Sequence, residues 1–332
     1  MDICGYCGRQ DSRALYPTTD VFGNHYEIHQ CNVCHAYFLA PRPDEQRLNQ
    51  AYDSSYYGEQ EEKFSSSKVE NVLDYFRKRR AKYVSRFIRK NENVLDIGCG
   101  NGRFLGFLKK YGDFNIYGTE LDGNSAARAK RVEGLNLKVG MLEKGDFPKN
   151  NFQAITMFHV FEHLSHPVEM LDTIDEVLCP GGALVISFPN IAGLQSELFK
   201  GKWLHLDPPR HLFFFAPEDF IKLMETRGYK VLKTKYLSSE QNPYGFIQST
   251  LNMFYKKREV LFESLKGNKE YIKEYSKFNL LFQKAVFAGT FPLFMITDLF
   301  ESFFKRGATV EFTFEKSYTH SNDADAQDLI ID

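Results

Sequence analysis

Between Asn93 and Leu237 short apolar runs alternate with amphipathic stretches. The segments NVLDIG, NIYGTE, LNLKVG, FQAITMF, GALVISFP and YKVLKTKYL have the length and β-branched content of strands. Between them, RFLGFLKKYG, NSAARAKRV, PVEMLDTIDEVL and PEDFIKLMETRG carry apolar residues at helical spacing. Two of these helices open on Pro167 and Pro217, where a missing N–H costs nothing. Two close at Gly112 and Gly228. Such alternation predicts an α/β, Rossmann-like, mostly parallel sheet with helices on both faces. One more strand, ATVEFTFE, follows at 308–315, after a long insertion at 239–306.

The flanks differ from this centre. Residues 1–40 are turn-rich and punctuated by cysteines, and 41–67 are polar and tyrosine-rich, a loop or short helices. Residues 68–90 predict a basic amphipathic helix with Val72, Tyr75, Phe76, Tyr83, Phe87 and Ile88 on its apolar side. The expected organisation is a small module at 1–40, a lid and helix at 41–90, and an α/β domain from 91–238 and 307–316. A helical insertion at 239–306 and an acidic flexible tail at 317–332 complete it. The insertion contains the most apolar stretch, Phe278 to Phe304, broken by Lys284, Pro292, Asp298 and Glu301. Its uncharged core, Ala285 to Thr297, is shorter than the roughly 20 residues a membrane span needs. Two readings follow: helices packed on the domain, or an interfacial hairpin touching a membrane.

Composition narrows the setting. The 332 residues are 43% hydrophobic and 26% charged, with net charge −1, so no global field draws the chain to nucleic acid. The basic run RKRRAKYVSRFIRK, Arg77 to Lys90, has no base-reading module beside it, and such runs are usually solvated helix faces. The opening residues MDICGYCG lack a basic-then-apolar signal, which reads as cytoplasmic. Disulfides are then not expected, and six cysteines need another account. Cys4-x-x-Cys7 and Cys31-x-x-Cys34 form two knuckles with 23 residues between them, a spacing suited to tetrahedral, structural zinc. The alternative is four reduced cysteines without metal. His35 is a less favoured ligand, and Cys99 and Cys179 read as small buried side chains.

The sharpest motif is VLDIGCGNGRFL, Val94 to Leu105. A strand runs into Gly98, Gly100 and Gly102, which permit a tight turn and close approach of a ligand to the backbone. This is the ligand-binding edge of an open α/β sheet. The spacing is G-x-G-x-G, not the pyrophosphate-cradling G-x-G-x-x-G. Asp96, just before the glycines, suits a cationic amino group better than an anion. Glu120 ends the next strand and can accept from a ribose diol.

These residues resemble the class I S-adenosylmethionine-dependent methyltransferases over about 70–240, and more weakly over 305–316. LDIGCGNG, GTEL, MFHVFEHLSHP and VLCPGGALVISFPN match that family's motifs in order. Gln153 departs from it where an acid is usual, as does Gly140-Met141-Leu142 at the adenine pocket. The resemblance implies a seven-stranded sheet whose last strand is antiparallel. It also implies that Asp96, Gly98, Gly100 and Gly102 hold the methionine end and Glu120 the ribose. Adenine falls to the Leu142 backbone with Glu143 nearby, and His159 lies near the sulfonium. Tyr56 and Tyr57 would close over the cofactor, an aromatic face being attracted to a cation.

Candidate acceptor groups follow the fourth strand, at His159, Glu162, His163 and His166, and the fifth, at His205, Asp207, Arg210 and His211. The run HLDPPRHLFFF, 205–215, fits neither helix nor strand. It resembles the matching loop of zinc-containing deoxysugar methyltransferases, with arginine in place of a glutamate. It also resembles bacterial methyltransferases associated with cell-surface polysaccharides. The comparison retains His211, which ranks first as base with His163 second, and the planar fork of Arg210 suits it as a clamp for a phosphate. Trp203 and Phe213 would form an apolar wall or remain core.

The expected function is O-methylation of a sugar in a nucleotide- or lipid-linked glycan precursor, in the cytoplasm or peripherally on the inner face of the plasma membrane. Alternatives are methylation of a small metabolite or quinone, or C-methylation of a deoxysugar. A reading of another class is a nucleic-acid-binding protein with a methyltransferase-like fold; nucleic acid is not the expected partner.

Overall fold

The computed structural model describes residues 3–52 and 67–318. The expected lid tyrosines Tyr56 and Tyr57, and the tail from residue 319, lie outside the described residues.

The cysteine-rich module folds as three antiparallel strands, β1 (Ser12–Thr19), β2 (His25–Cys31) and β3 (Tyr37–Ala40). Helix α1 (Glu45–Ala51) follows, its first turn capped by the Asp44 carboxylate accepting from Arg47 N. Helix α2 spans Ser67–Val84. It ends earlier than the pattern predicts, and its expected apolar side is partly wrong. Val72 and Tyr75 are exposed, while Ala81 and Val84 are buried. Glu70 and Asp74 are buried too, because Arg77 pairs with both carboxylates and removes their charge from an otherwise apolar face.

The central domain alternates as its pattern predicts. In order come β4 (Asn93–Ile97), α3 (Arg103–Leu108), β5 (Asn115–Glu120), α4 (Asn124–Ala129), β6 (Leu135–Val139) and β7 (Phe152–Phe158). Then follow α5 (Pro167–Val177), β8 (Leu178–Pro189), α6 (Leu194–Phe199), β9 (Phe213–Phe214), α7 (Pro217–Thr226) and β10 (Tyr229–Lys235). The insertion is helical: α8 (Asn242–Phe254), α9 (Val260–Lys266), α10 (Lys269–Ile272) and α11 (Lys277–Phe303). Strand β11 (Thr309–Lys316) closes the fold. The seven-stranded sheet has the order β10-β11-β8-β7-β4-β5-β6. β11 runs antiparallel to both neighbours, and the other pairings are parallel.

Two features were not in the pattern. First, β9 pairs with β3, not with the large sheet, so the FFF run becomes the fourth strand of the module. The module is therefore no separate small domain. Cys4, Cys31 and Phe38 share one core with Phe161, Phe213, Phe215 and Phe220, and Tyr6 meets Phe215 edge-on at 5.0 Å. Second, the apolar stretch of the insertion is one continuous helix through Pro292, not a hairpin. Of the two readings for Trp203 and Phe213, wall or core, the structure shows core: both are fully buried.

Candidate active site

The glycine loop leaves the C-terminal end of β4 with Gly98, Gly100 and Gly102 all at positive φ (69°, 58° and 72°), a region costly for any residue with a Cβ. The three have different surroundings. A Cβ on Gly98 would run into Val160, and one on Gly102 would crowd Val132 and Leu135 at 3.0 and 3.1 Å. A Cβ on Gly100 would meet nothing within 4 Å, so that backbone borders open space. Gly100 N donates to Glu120 Oε2 at 2.7 Å, tying the loop to the end of β5.

Asp96 is buried and accepts from Thr156 Oγ1 at 2.6 Å. Burial raises its pKa, Thr156 partly offsets this, and repulsion from Glu120 adds to it; the result is about 7. Arg80 lowers it only slightly, so a cationic group set against this carboxyl would favour its charged form. The side chain of Leu142 is buried, and Glu143 N donates to Asp146 Oδ2 at 2.6 Å. Cys99 is buried beneath the loop as expected, and burial pushes its thiol up.

A second cluster joins the segments after β7 and β8. Leu212 N donates to the Glu162 carbonyl at 2.8 Å, and Leu39 N to the Leu212 carbonyl at 3.0 Å. These bonds hold the two loops and the module together. Glu162 is buried, neither carboxylate oxygen has a hydrogen-bond partner, and His159 Nδ1 lies 3.4 Å from Oε1. Burial would raise this acid, but the surrounding imidazoles of His159, His211 and His163 outweigh it and hold it at about 2. His211 Nδ1 contacts the His205 carbonyl at 2.8 Å, which makes Nδ1 the donor of that bond. Nε2 stands 3.9 Å from Glu162 Oε1 and 3.8 Å from Asp207 Oδ2.

His163 is placed differently. Its Nδ1 contacts Tyr52 Oη at 2.8 Å and the Arg210 carbonyl at 3.1 Å. Burial and the neighbouring His211 lower its pKa to about 4, so it is neutral at pH 7 and a weak base. His205 is likewise lowered by burial, to about 3. His166 stays outside the cluster, exposed beside Glu169. Ligand atoms of Glu162, His163 and His211 lie within 4.8 Å of one another, so these three could also hold a cation.

Arg210 overturns its expected role as an anion clamp. It is buried, Nε donates to Asp207 Oδ2 at 2.9 Å, Nη2 pairs with Asp207 Oδ1, and Nη1 donates to the Ala51 carbonyl at 3.4 Å. Its fork serves the loop, not a ligand. The basic helix is also partly committed: Arg77 points inward, and Arg80 pairs with Glu240 at 2.5 Å. A cavity of about 160 Å³ lies between α2 and the end of β10, bordered by Arg79, Arg80, Lys233 and Lys235 with Glu240 and Glu311. Sequence reasoning missed this cavity and the Tyr52 contact, because both depend on segments distant in the chain coming together.

The four cysteines Cys4, Cys7, Cys31 and Cys34 converge, with Sγ–Sγ distances of 3.6 Å for Cys4–Cys34 and 3.5 Å for Cys7–Cys31. The Cys34 contact pulls Cys4 down to about 5. Such a set can serve a tetrahedral ion, whose bonds of about 2.3 Å place its sulfurs about this far apart.

A glycine loop at the end of β4, an acid at the end of β5 and this strand order define a Rossmann-like methyltransferase fold. The chain belongs to the methyltransferase domain family, which matches residues 68–234. That segment is an S-adenosylmethionine-dependent methyltransferase domain. An uncharacterized methyltransferase of Schizosaccharomyces pombe is 26% identical over 113 residues, 30% of this chain and 41% of that protein. A ubiquinone biosynthesis O-methyltransferase of Dinoroseobacter shibae is 24% identical over 185 residues, 49% of this chain and 72% of that protein. The chain thus spans about half the length of several curated relatives it matches. The crystal structure of geranyl diphosphate C-methyltransferase from Streptomyces coelicolor is 11% identical, covering 82% of this chain and 88% of that one with TM-score 0.47, too low to bear on substrate.

Proposed function

We propose that this protein transfers a methyl group from S-adenosylmethionine to a hydroxyl of a sugar carried by a nucleotide- or lipid-linked glycan precursor. The observation that carries this reading is the His211–Glu162 pair at the same sheet edge as the glycine loop. A sugar hydroxyl is a poor nucleophile until a base takes its proton. S-adenosylmethionine would supply a methyl group on a sulfonium. Asp96 would bind the cofactor's ammonium, Glu120 its ribose, and the backbone around Gly100 would line its path. His159 and Leu142 remain its proposed sulfonium and adenine neighbours, and Tyr56 and Tyr57 its proposed lid.

In this mechanism His211 Nε2 takes the acceptor proton. Glu162 and Asp207 then face the imidazolium with negative charge, while the bond from Nδ1 to the His205 carbonyl keeps the ring oriented. His163 becomes a positioning residue. Its neutral ring meets His211 edge-on at 4.5 Å and ties that loop to Tyr52. With Arg210 engaged, an acceptor phosphate would go to the cavity lined by Arg79, Arg80, Lys233 and Lys235. Zinc in the four-cysteine set would be structural, holding the module that carries β9, and reduced thiols suit a cytoplasmic setting.

Methyl transfer from labelled S-adenosylmethionine, screened over sugar nucleotides and lipid-linked glycans, tests the reading. Turnover of none of these, with turnover of a quinol, would favour the second reading, to which the ubiquinone-pathway relative lends support.

A further inference from the structure

Helix α11 has its polarity reversed. Of its 27 residues, the fully buried ones are Gln283, Asp298 and Glu301. These face the protein: Asn242 Nδ2 donates to Asp298 at 2.6 Å and Gln195 Nε2 to Glu301 at 3.2 Å. Burial raises the two acids to about 6 and about 7, as befits groups taken out of water. The opposite side is apolar. Phe303 is 82% exposed, Ile296 64% and Phe300 62%, with Leu293 and Leu299 between them. From Ala285 to Phe304 no exposed position carries a charge. A soluble core helix shows the reverse arrangement.

The surroundings choose the occupant. Exposed lysines stand at both ends of the bare stretch, Lys277 and Lys284 on one side and Lys305 on the other. This is an apolar stripe with cationic ends, matched to hydrocarbon below a layer of anionic headgroups. Phe254, at the end of α8, is also 82% exposed, and the adjacent Tyr255 Oη accepts from Asn279 Nδ2 near the start of α11 at 3.1 Å. The inner side of α11 remains packed on α8, where Phe246 and Phe294 stack at 4.4 Å. By length and composition α11, unlike the shorter uncharged core read from the sequence, could span a bilayer, but its inner side is fastened to α8 and carries the buried acids. We infer that the outer face of α11 lies flat on a lipid surface rich in anionic headgroups, anchoring the protein peripherally.

The test is flotation of the full chain with phosphatidylcholine vesicles, with and without phosphatidylglycerol, alongside light scattering. The expected result is co-flotation that is stronger with phosphatidylglycerol and weakens with salt. Replacing Leu293, Ile296 and Phe300 together by Glu should reduce binding about tenfold or more. Replacing Lys277, Lys284 and Lys305 by Gln should weaken it by roughly fivefold per lysine on anionic vesicles. Phe303→Asp alone serves if the triple variant melts early. Three results would overturn the inference: no flotation with anionic vesicles, flotation undiminished in melt-stable variants, or a dimer that the same substitutions dissociate without any vesicle binding.

Discussion

His211 Nε2 stands 3.9 Å from Glu162 Oε1, a buried carboxylate with no hydrogen-bond partner. The two come from loops after different strands, and the Leu212–Glu162 backbone bond sets their separation. His211→Ala is expected to lower kcat by roughly 10²- to 10⁴-fold, the span of general-base effects, with S-adenosylmethionine affinity unchanged. Glu162→Gln should fall between wild type and that variant. Calorimetry and single-turnover rates separate the two effects, and equal activity of His211→Ala and wild type would remove the base assignment.

Arg210 predicts a stability effect, not a binding one. Arg210→Ala leaves half-buried Asp207 without its guanidinium partner, close to Glu259, which is 4.0 Å from that guanidinium. Removing one partner of such a pair costs about 3 kcal/mol or more. Urea unfolding should show this loss, and Asp207→Asn in the same chain should recover part of it. A stable Arg210→Ala protein with a raised acceptor KM would restore the clamp.

Asp96 links cofactor binding to pH. In the ligand-free protein it is half-protonated near pH 7. A bound ammonium favours the carboxylate, so binding lowers this pKa and releases a proton. Affinity should be full above pH 7 and fall about tenfold per unit below it. Titration calorimetry in buffers of different ionisation enthalpy reads the proton release at pH 6. Asp96→Asn should abolish both the release and the pH slope.

The three loop glycines should separate on substitution. Gly98→Ala meets Val160 at positive φ and should lower Tm by several degrees. Gly100→Ala bears only the backbone strain, about 1 kcal/mol, but points its methyl into open space. Its loss should appear mainly as weaker S-adenosylmethionine binding. Thermal melts with and without cofactor check the contrast.

The four-cysteine site should report at a distance. Since β9 pairs with β3, loosening the module should disturb the His211 loop. If zinc holds the module, treatment with a strong chelator, like Cys31→Ser, is expected to lower activity together with hydrogen-exchange protection of Phe213 and Phe214. Full activity of metal-free protein would make the site dispensable.

Local pattern specified the central strands and helices, the glycine loop with Asp96 and Glu120, and the cysteine pairs. Each depends on neighbours in sequence: an apolar period, a turn only glycine enters, a two-residue spacing. Tertiary structure decided what lies between distant segments. It turned Arg210 onto Asp207, because a buried guanidinium takes the nearest carboxylate, and it enlisted the FFF run as a strand of the module, because β3 had an edge to fill. It buried Trp203 and Phe213, and it oriented α11 with its acids inward and its phenylalanines out. Composition shows how apolar a helix is; only its packing partners determine which side faces them.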